Sequence, residues 1–552
     1  MGGDVDREPP PSAAESETLS MCGNSIRENR ETLETPEPST GPALVAGAGR
    51  SEKANGRTSD MHVSRESDGP VVPTKRANNA ERSAAESVEG RGPTKGNAKR
   101  TLHVPDAEPG KRGIGLCGVR EAAKRDKTMR FTALLHHITP ELLRESYLVL
   151  KRTAAPGVDG VTWQEYGRGL EGRLVDLHGR VHRGTYRAQP SKRAWIPKPD
   201  GGQRPLGIAA LEDKIVQQAV KIVLDSIYEE DFLGFSYGYR PERSAHDALD
   251  ALWVGITQRK VNWVLDADIR GFFDNIDHGW LVKFLEHRIA DRRILRLIQK
   301  WLRAGVSDEG QWSRTTVGTS QGAVISPTLA NVFLHYALDL WVNQWRKRYA
   351  RGSVIIVRYA DDFVMGFQDR RDADRCLREL RKRLEKFGLE LHPEKTRLIE
   401  FGRYAAERRS RRGEDKPETF DFLGFAHYCG TTRKGAFIIQ RKSIAKRMRA
   451  TLQRIKAQLR ERMHQAVPEV GAWLRTVVRG WFNYHAVPGN HEALDQFHTQ
   501  VVRHWLHVLR RRSQKGRRWA WERMRRLIRR WLPRATILHP YPDARLIVSY
   551  PR

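Results

Sequence analysis

The 552-residue sequence predicts an α+β protein in which short buried strands alternate with amphipathic helices. Two apolar, β-branched runs flank a polar centre over residues 354–367, a pattern typical of a tight hairpin with mostly buried strands. A second β-rich run, 261–268, ends on an aspartate. Apolar residues with helical spacing over 211–232 predict a buried helix. Together these segments indicate a sheet that packs against helices.

Two adjacent carboxylates, Asp361 and Asp362, stand at the predicted hairpin turn. Aspartate is common in solvated turns, so Asp-Asp alone favours no chemistry. A third carboxylate, Asp268, lies at the end of the upstream strand. Neighbouring buried carboxylates repel each other, and divalent ions with oxygen ligands offset that charge. Three aspartates that converge on a pair of metal ions would suit in-line phosphoryl transfer.

The string Tyr359-Ala360-Asp361-Asp362 and the string from Asp268 to Phe273 resemble the palm of a reverse transcriptase. More specifically, they resemble the reverse transcriptase/maturase proteins that bacterial group II introns encode. The resemblance implies a right-hand polymerase, with fingers and a palm built on an antiparallel sheet, followed by an α-helical thumb. It also implies that Asp268, Asp361 and Asp362 are catalytic and hold two Mg²⁺ ions, with Mn²⁺ as an alternative.

Further strings resemble the family's nucleotide-binding blocks. An Asp-Gly-Gly turn predicts a hairpin over 195–208. Lys198 and Arg204 flank that turn. Their side chains are either solvated charges or, as the resemblance implies, contacts to the triphosphate. Ser320 stands where the commoner family string has proline. Phe273 is either a core aromatic or, by the resemblance, the residue that excludes a 2′-hydroxyl. The dNTP-binding residues expected from the resemblance are Lys198, Arg204, Phe273, Gln321 and Lys395.

The charge balance points to nucleic acid. The net charge is +31 at pH 7, and a polyanion would be attracted to most of the surface. A membrane surface is the weaker alternative, because no apolar run reaches the length of a spanning helix. The first residues lack the form of a signal peptide, and four scattered cysteines suggest neither a zinc module nor disulfides. We expect a bacterial cytoplasmic protein, associated with the nucleoid, without a membrane partner.

Composition and resemblance divide the chain into four segments. Residues 1–125 lack aromatic residues and predict a mostly disordered basic and polar extension. Residues 126–426 are expected to form the fingers and palm, and 427–500 the maturase or thumb domain. Residues 501–552 form a basic nucleic-acid-binding segment, and nothing in them matches the His-Asn-His endonuclease of many family members. The chain therefore resembles the endonuclease-lacking, class C-like branch.

The C-terminal segment carries the expected RNA contacts. Residues 503–534 hold thirteen Lys or Arg residues against one acid, Glu522, and tryptophans lie between them. Basic side chains contact phosphates, whereas we expect the tryptophans to pack in the core more than to stack on bases. The string 479–485 resembles part of the maturase or thumb domain of the family, and its first residue is an arginine. The candidate RNA-binding residues are Arg479, Arg510, Arg511, Arg512, Arg517 and Arg518.

The helical pattern predicts three further helices. We expect one amphipathic basic helix over 280–302, a charged helix over 373–387 and a long Lys- and Arg-rich helix over 440–463.

The resulting functional hypothesis is an RNA-directed DNA polymerase, a nucleotidyltransferase encoded by a group II intron. It would add dNTPs to a DNA primer on an RNA template, and it would bind the intron RNA to assist splicing and insertion into target DNA. One alternative is a splicing cofactor that binds RNA without catalysis. Another is a host-defence or diversity-generating reverse transcriptase, against which the string 479–485 argues.

Overall fold

The computed structural model describes residues 114–197, 203–308, 310–313 and 315–545. The prediction of disorder for 1–113 lies outside these residues. Residues 114–125, which the sequence assigned to the same extension, form a helix instead. Its Val119 and Ala123 are buried, so a segment without aromatic residues still packs against the core.

Helices and short strands alternate along the chain. As far as the first hairpin they are α1 Ile114–Arg125, α2 Pro140–Val149, α3 Trp163–Gly167, α4 Leu170–Arg183, β1 Ser191–Pro197 and β2 Gln203–Ile208. The middle part contains α5 Leu211–Asp231, α6 Ala245–Gln258, β3 Trp263–Asp268, α7 Phe272–Asn275, α8 His278–Glu286, α9 Arg292–Arg303, β4 Val306–Asp308, β5 Gln311–Ser313, α10 Ser326–Leu334, α11 Leu340–Arg348, β6 Val354–Tyr359 and β7 Asp362–Phe367. The remainder contains α12 Arg370–Glu385, β8 Arg397–Glu400, α13 Ala405–Arg411, β9 Phe420–Phe422, β10 Phe425–Thr431, β11 Phe437–Ser443, α14 Ala445–Glu461, α15 Val467–His485, α16 His491–Arg511, α17 Trp521–Trp531 and α18 Pro542–Arg545.

A four-stranded antiparallel sheet in the order β6-β7-β3-β8 lies at the centre of the described chain. Side chains alternate between its two faces. Ile356 and Phe363 point into the larger core with the helices, whereas Ile355 and Val364 belong to a second core beneath β9–β11. The sheet is therefore buried on both faces, and its polar residues gather at one end.

The described residues form two further sheets, one of four strands and one of three. One has the order β2-β1-β4-β5, in which β1 and β2 form the predicted antiparallel hairpin and β1 runs parallel to β4. The other has the order β11-β10-β9. The prediction of a hairpin over 354–367 is confirmed as β6 and β7, and the helix predicted over 211–232 is α5. The charged helix expected over 373–387 begins slightly earlier, at Arg370.

Two helix predictions are wrong. The segment 280–302 contains two helices, α8 and α9, because Asp291 caps α9 and also accepts the backbone N–H groups of Leu134 and Leu135. The segment 440–463 starts as strand β11, paired with β10, and becomes helical only at Ala445. Both errors arise from partners that are distant in sequence.

The C-terminal helices α14–α17 share a separate apolar core that includes the buried Trp505. Strand β10 crosses the expected boundary at 426–427, and α16 crosses the one at 500–501. The last described helix, α18, lies against α6, where buried Arg545 pairs with Asp250. Across the described ranges, no helix combines the length and apolar character needed to cross a membrane.

Candidate active site

Strand register brings two of the expected catalytic aspartates together. Asp268 at the end of β3 lies directly opposite Asp362 at the start of β7. Residues opposite each other in an antiparallel pair share a face, and so do residues two apart on one strand. Asp266 therefore lies on the same face as both. Asp361 precedes Asp362 in the turn between β6 and β7.

The turn that carries Asp361 is tight and strained. Tyr359 pairs with Asp362, so only Ala360 and Asp361 connect the strands. Ala360 has a φ of +60°, which L-residues other than glycine rarely adopt. A positive φ at the first of two turn residues is the pattern of a type II′ hairpin turn. This geometry fixes the direction in which the two carboxylates leave the sheet.

Burial and neighbouring carboxylates raise the pKa of three aspartates at this end of the sheet. Burial raises the pKa of Asp362 well above its usual range, and the charges of Asp266, Asp268 and Asp361 raise it further. The positive charge of Arg447 opposes this rise. Burial also raises the pKa of Asp361, with Asp268 contributing. For Asp266, burial raises the pKa to about 6 even though Arg397 lies nearby. The site therefore holds more negative charge than its protein partners offset.

Two cations approach the aspartates from the segment that follows α12. The Lys395 Nζ lies 2.7 Å from Asp268 Oδ2. An Arg397 Nη2 lies 3.6 Å from Asp266 Oδ2. The Lys395 side chain is mostly exposed, and ion pairs of that kind contribute little stability. This pair is therefore easily exchanged for another cation.

The residues fit a divalent cation by chemistry. Three carboxylates with mutual repulsion and oxygen donors are what Mg²⁺ and Mn²⁺ prefer. Within the described ranges, however, no three acidic, histidine or cysteine side chains are close enough to form a ready metal-holding group.

The structure describes four of the five residues expected to contact the dNTP. Lys198 lies outside the described residues. Arg204 is exposed on β2, and its charge partly opposes the rise in the pKa of Asp361. Phe272 is fully buried, whereas Phe273 is half-buried with its ring 5.4 Å from that of Phe272. Phe272 is therefore the core aromatic, and Phe273 is the one with an open face.

The turn with Gln321 connects these parts. Its Thr319 N–H donates to Phe273 O at 2.8 Å, and the N–H of Gly207 on β2 donates to Gln321 O at 2.7 Å. Ser320 and Gln321 also line a cavity of about 160 Å³ between the β1–β2 hairpin and α10. The structure thus links the hairpin of Arg204 to the loop of Gln321 and to the short helix α7 that contains Phe273.

The expected RNA contacts divide into two groups. Exposed positions are Arg479, Arg510, Arg511, Arg517 and Arg518, whereas Arg512 is half-buried. The guanidiniums of Arg510 and Arg512 also donate to backbone carbonyls, to Trp519 O and His464 O respectively. Trp505 is buried, whereas Trp521 is 45% exposed. Arg510 and Arg512 therefore brace the C-terminal helices and offer less of their side chains to RNA.

Sequence reasoning did not identify two residues beside the site. Asp266 is not among the expected ligands, although its position two residues before Asp268 on one strand places both side chains on the same face. Arg358, directly before the Tyr-Ala-Asp-Asp string, was assigned no role. It is completely buried and contacts the turn. No signal in the sequence marks its partners, which come from three separate segments.

Comparisons with known proteins show which family the chain resembles. A family model described as "Reverse transcriptase (RNA-dependent DNA polymerase)" matches residues 196–427. Protein YkfC of Escherichia coli (strain K12) is 34% identical over 334 residues, which cover 53% of this chain and 87% of that protein. Group II intron-encoded protein LtrA of Lactococcus lactis subsp. cremoris is 36% identical over 225 residues, 40% of this chain and 37% of LtrA.

A protein encoded in the cob intron of Schizosaccharomyces pombe is 31% identical over 246 residues, 43% of this chain and 30% of the yeast protein. The chain thus spans most of YkfC but little more than a third of LtrA. The fold and the matched palm define a reverse transcriptase with the right-hand polymerase architecture. Within that class, the chain belongs to the group II intron-encoded reverse transcriptase/maturase family.

Proposed function

We propose that this protein extends a DNA primer on an RNA template, as an RNA-directed DNA polymerase of a group II intron. The supporting observation is the register of the central sheet, which sets Asp268 opposite Asp362 with Asp361 in the adjoining turn. Three carboxylates on one sheet end, beside a basic hairpin, suit phosphoryl transfer better than proton transfer chemistry.

Asp268, Asp361 and Asp362 would hold two Mg²⁺ ions, or Mn²⁺ in their place. When bound, such ions activate the primer 3′-hydroxyl and offset the charge of the leaving pyrophosphate. Before that, Asp268 must separate from Lys395. The released Lys395 and the fork of Arg204 would then be free to hold the triphosphate, together with Lys198.

The remaining nucleotide contacts would select the substrate. The open face of Phe273 would pack under the sugar and exclude a 2′-hydroxyl. Gln321 would contact the incoming nucleotide from its turn, which the Gly207 N–H ties to the hairpin of Arg204. Positioning of the nucleotide by these groups is expected to supply much of the rate enhancement.

A second role would rest on binding alone. A net charge of +31 and the exposed arginines of α15 and the C-terminal segment would hold the intron RNA and favour its spliceable shape. We infer that 126–426 forms the fingers and palm, 427–500 the maturase or thumb domain and 501–552 the basic segment. Template, primer and target DNA would reach the same surface in the bacterial cytoplasm at the nucleoid.

The test is dNTP incorporation on poly(rA)/oligo(dT) with Mg²⁺, comparing wild type with Asp361→Ala. The matched control is Asp374→Ala, which removes a half-exposed aspartate of α12. We expect activity in wild type and control and none in Asp361→Ala. Activity in Asp361→Ala would refute the assignment of the site. Tight binding of structured RNA without any incorporation would favour a splicing cofactor instead.

A further inference from the structure

A buried arginine lies directly beneath the hairpin turn that carries Asp361. Arg358 is the fifth residue of β6, and neither its side chain nor that of Asp339 has any exposed surface. The five N–H groups of a guanidinium form a fixed fork. In Arg358 their five acceptors are Asp339 Oδ1 (2.7 Å), Asp339 Oδ2 (2.6 Å), Ser236 Oγ (2.7 Å), Asn331 Oδ1 (3.1 Å) and Ala360 O (2.9 Å).

One of these bonds reaches the strained turn. Ala360 O belongs to the peptide that leads into Asp361, and Arg358 Nη1 donates to it. Ala360 has a φ of +60°, a conformation that L-residues other than glycine rarely adopt. Strained residues persist only where their surroundings hold them in place. Here the guanidinium supplies part of that hold.

The turn is also held from its outer edge. The segment before α6 runs along β6: Tyr237 N–H donates to Arg358 O, and Arg358 N–H donates to Phe235 O. Gly238 then packs so closely that an added Cβ would overlap the backbone nitrogen of Ala360. The side-chain amide of Asn331 connects this segment to the arginine, because it donates to Gly238 O at 2.8 Å and accepts from Arg358.

The acidic partner occupies an unusual backbone. Asp339 is the last residue of a π-helical turn, His335–Asp339, between α10 and α11. Such turns are rare and occur frequently at functional sites. Arg358 lies two residues after Ile356 on β6, so the two side chains share a face of the sheet. That face is opposite to the one of Asp362, and Arg358 therefore does not reach a bound nucleotide. Its influence on the site must therefore pass through the turn.

We propose that Arg358, held by Asp339 and Asn331, is a positioning residue that sets the Ala360–Asp361 peptide and thereby the metal-holding direction of Asp361 and Asp362. This inference rests on the proposed function of those two aspartates. Stability alone does not account for the network, since a buried ion pair is commonly no more stabilising than apolar residues of equal volume. A bond from the same guanidinium into a strained turn gives it a specific task.

The experiment compares Arg358→Lys and Asn331→Ala with wild type and a matched control. Arg288 serves as the control because it is equally buried, pairs with Asp231 at 2.9 Å and donates to three carbonyls away from the turn. Arg288→Lys should therefore cost similar stability without touching the turn. The readouts are the Tm, Mn²⁺ binding to the protein alone followed by electron paramagnetic resonance, and the kcat and KM of primer extension.

We expect Arg358→Lys and Asn331→Ala to weaken Mn²⁺ binding and lower kcat by about 10- to 100-fold, as losses around metal ligands generally do. KM for dNTP and the affinity for structured RNA should stay within about twofold, because Arg204, Gln321 and the basic surface are untouched. In Arg288→Lys the Tm should fall while Mn²⁺ binding and kcat, measured well below that Tm, equal the wild type.

Wild-type Mn²⁺ binding and kcat in Arg358→Lys would overturn the proposal, as would equal losses in Arg288→Lys. If Arg358→Lys does not fold, Asn331→Ala decides by the same criteria. A failure of the proposed function is separable, because Asp361→Ala is measured in parallel. If wild type incorporates no dNTP but binds Mn²⁺ through Asp361, the Mn²⁺ affinities of the variants still decide whether Arg358 positions the turn. If Asp361→Ala binds Mn²⁺ as wild type does, both proposals fail.

Discussion

The ammonium of Lys395 lies 2.7 Å from the carboxylate of Asp268, on the strand end that also faces Asp362. A cation of the protein thus sits on one member of the carboxylate group. Because Lys395 is mostly exposed, this ion pair adds at most about 1 kcal/mol. The same lysine is therefore able to leave Asp268 and turn to a triphosphate.

This arrangement predicts opposite effects of one substitution. Lys395→Gln should tighten Mn²⁺ binding to the free protein by up to about fivefold, because the competing charge is removed. It should also raise KM for dNTP, because a triphosphate contact is lost. Metal titration and steady-state incorporation measure the two effects. Lys382→Gln on α12 is the control, and weaker metal binding in Lys395→Gln would contradict the competition.

A second prediction concerns acid stability. Burial tends to raise the pKa of Asp291, but Arg293 and the backbone N–H groups of Leu134, Leu135 and Arg293 lower it to about 2. A folded-state pKa below the unfolded value near 4 stabilises the protein above pH 4, and the benefit is lost as the pH falls towards 2. Asp291→Asn should therefore cost about 2 kcal/mol at pH 7.

Urea unfolding at pH 7 and pH 3 measures this cost, which should roughly halve at the lower pH. Asp374→Asn on α12 is the control, because its half-exposed helical pair with Arg370 should be worth no more than about 0.5 kcal/mol at either pH. A cost for Asp291→Asn that is the same at both pH values would show that the carboxylate charge is not responsible.

The strain at Ala360 leads to a third prediction. Glycine adopts the φ of +60° without a steric penalty, although it loses more entropy on folding. Ala360→Gly should thus change the free energy of unfolding by less than about 0.5 kcal/mol, whereas the same substitution at exposed Ala457 in α14 should cost about 1 kcal/mol. Ala360→Val should be the most destabilising of the three, because β-branched residues fit this region worst.

Denaturant unfolding ranks the three variants. A larger loss for Ala360→Gly than for Ala457→Gly would mean that the turn is not strained. Metal binding of Ala360→Gly should remain within about threefold of wild type, because the bond from Arg358 to the carbonyl of residue 360 persists.

These cases show which parts the sequence reveals. The hairpin of Asp361 and Asp362 was predictable because its signal is local: two apolar runs around a polar turn. The break between α8 and α9 was not, because Asp291 finds its partners more than 150 residues earlier in the chain. Strand β11 was misread for a related reason, since its pairing with β10 overrides the basic helical pattern predicted from residue 440, and helix α14 begins only two residues after the strand.

The candidate site follows the same rule. The three aspartates and Phe273 could be named from short strings, and the structure places Asp268 opposite Asp362. Arg358 could not be named, because Ser236, Asn331 and Asp339 converge on it only in the folded chain. The roles of the aspartates and of Phe273 stay predictions that the incorporation and metal-binding measurements test.

The last prediction tests the link between the β1–β2 hairpin and the Gln321 turn. A Cβ added at Gly207 would overlap Ser320 Oγ, and the neighbouring Ser191 leaves little room for a shift. Gly207→Ala should therefore push the turn away, break the bond from the residue 207 N–H to Gln321 O and raise KM for dNTP by about tenfold.

Ser320→Gly removes the side chain that blocks the added methyl group. In the double variant Gly207→Ala/Ser320→Gly, we expect the KM for dNTP and the Tm to return most of the way to their wild-type values. The double-mutant cycle should show a coupling free energy above about 1 kcal/mol. Gly118→Ala is the control, because this exposed helical glycine has nothing within 4 Å of an added Cβ. If the two substitutions are additive, the contact between Gly207 and Ser320 does not join the hairpin to the turn, and the turn of Gln321 is held by the bond from Thr319 N–H to Phe273 O of α7.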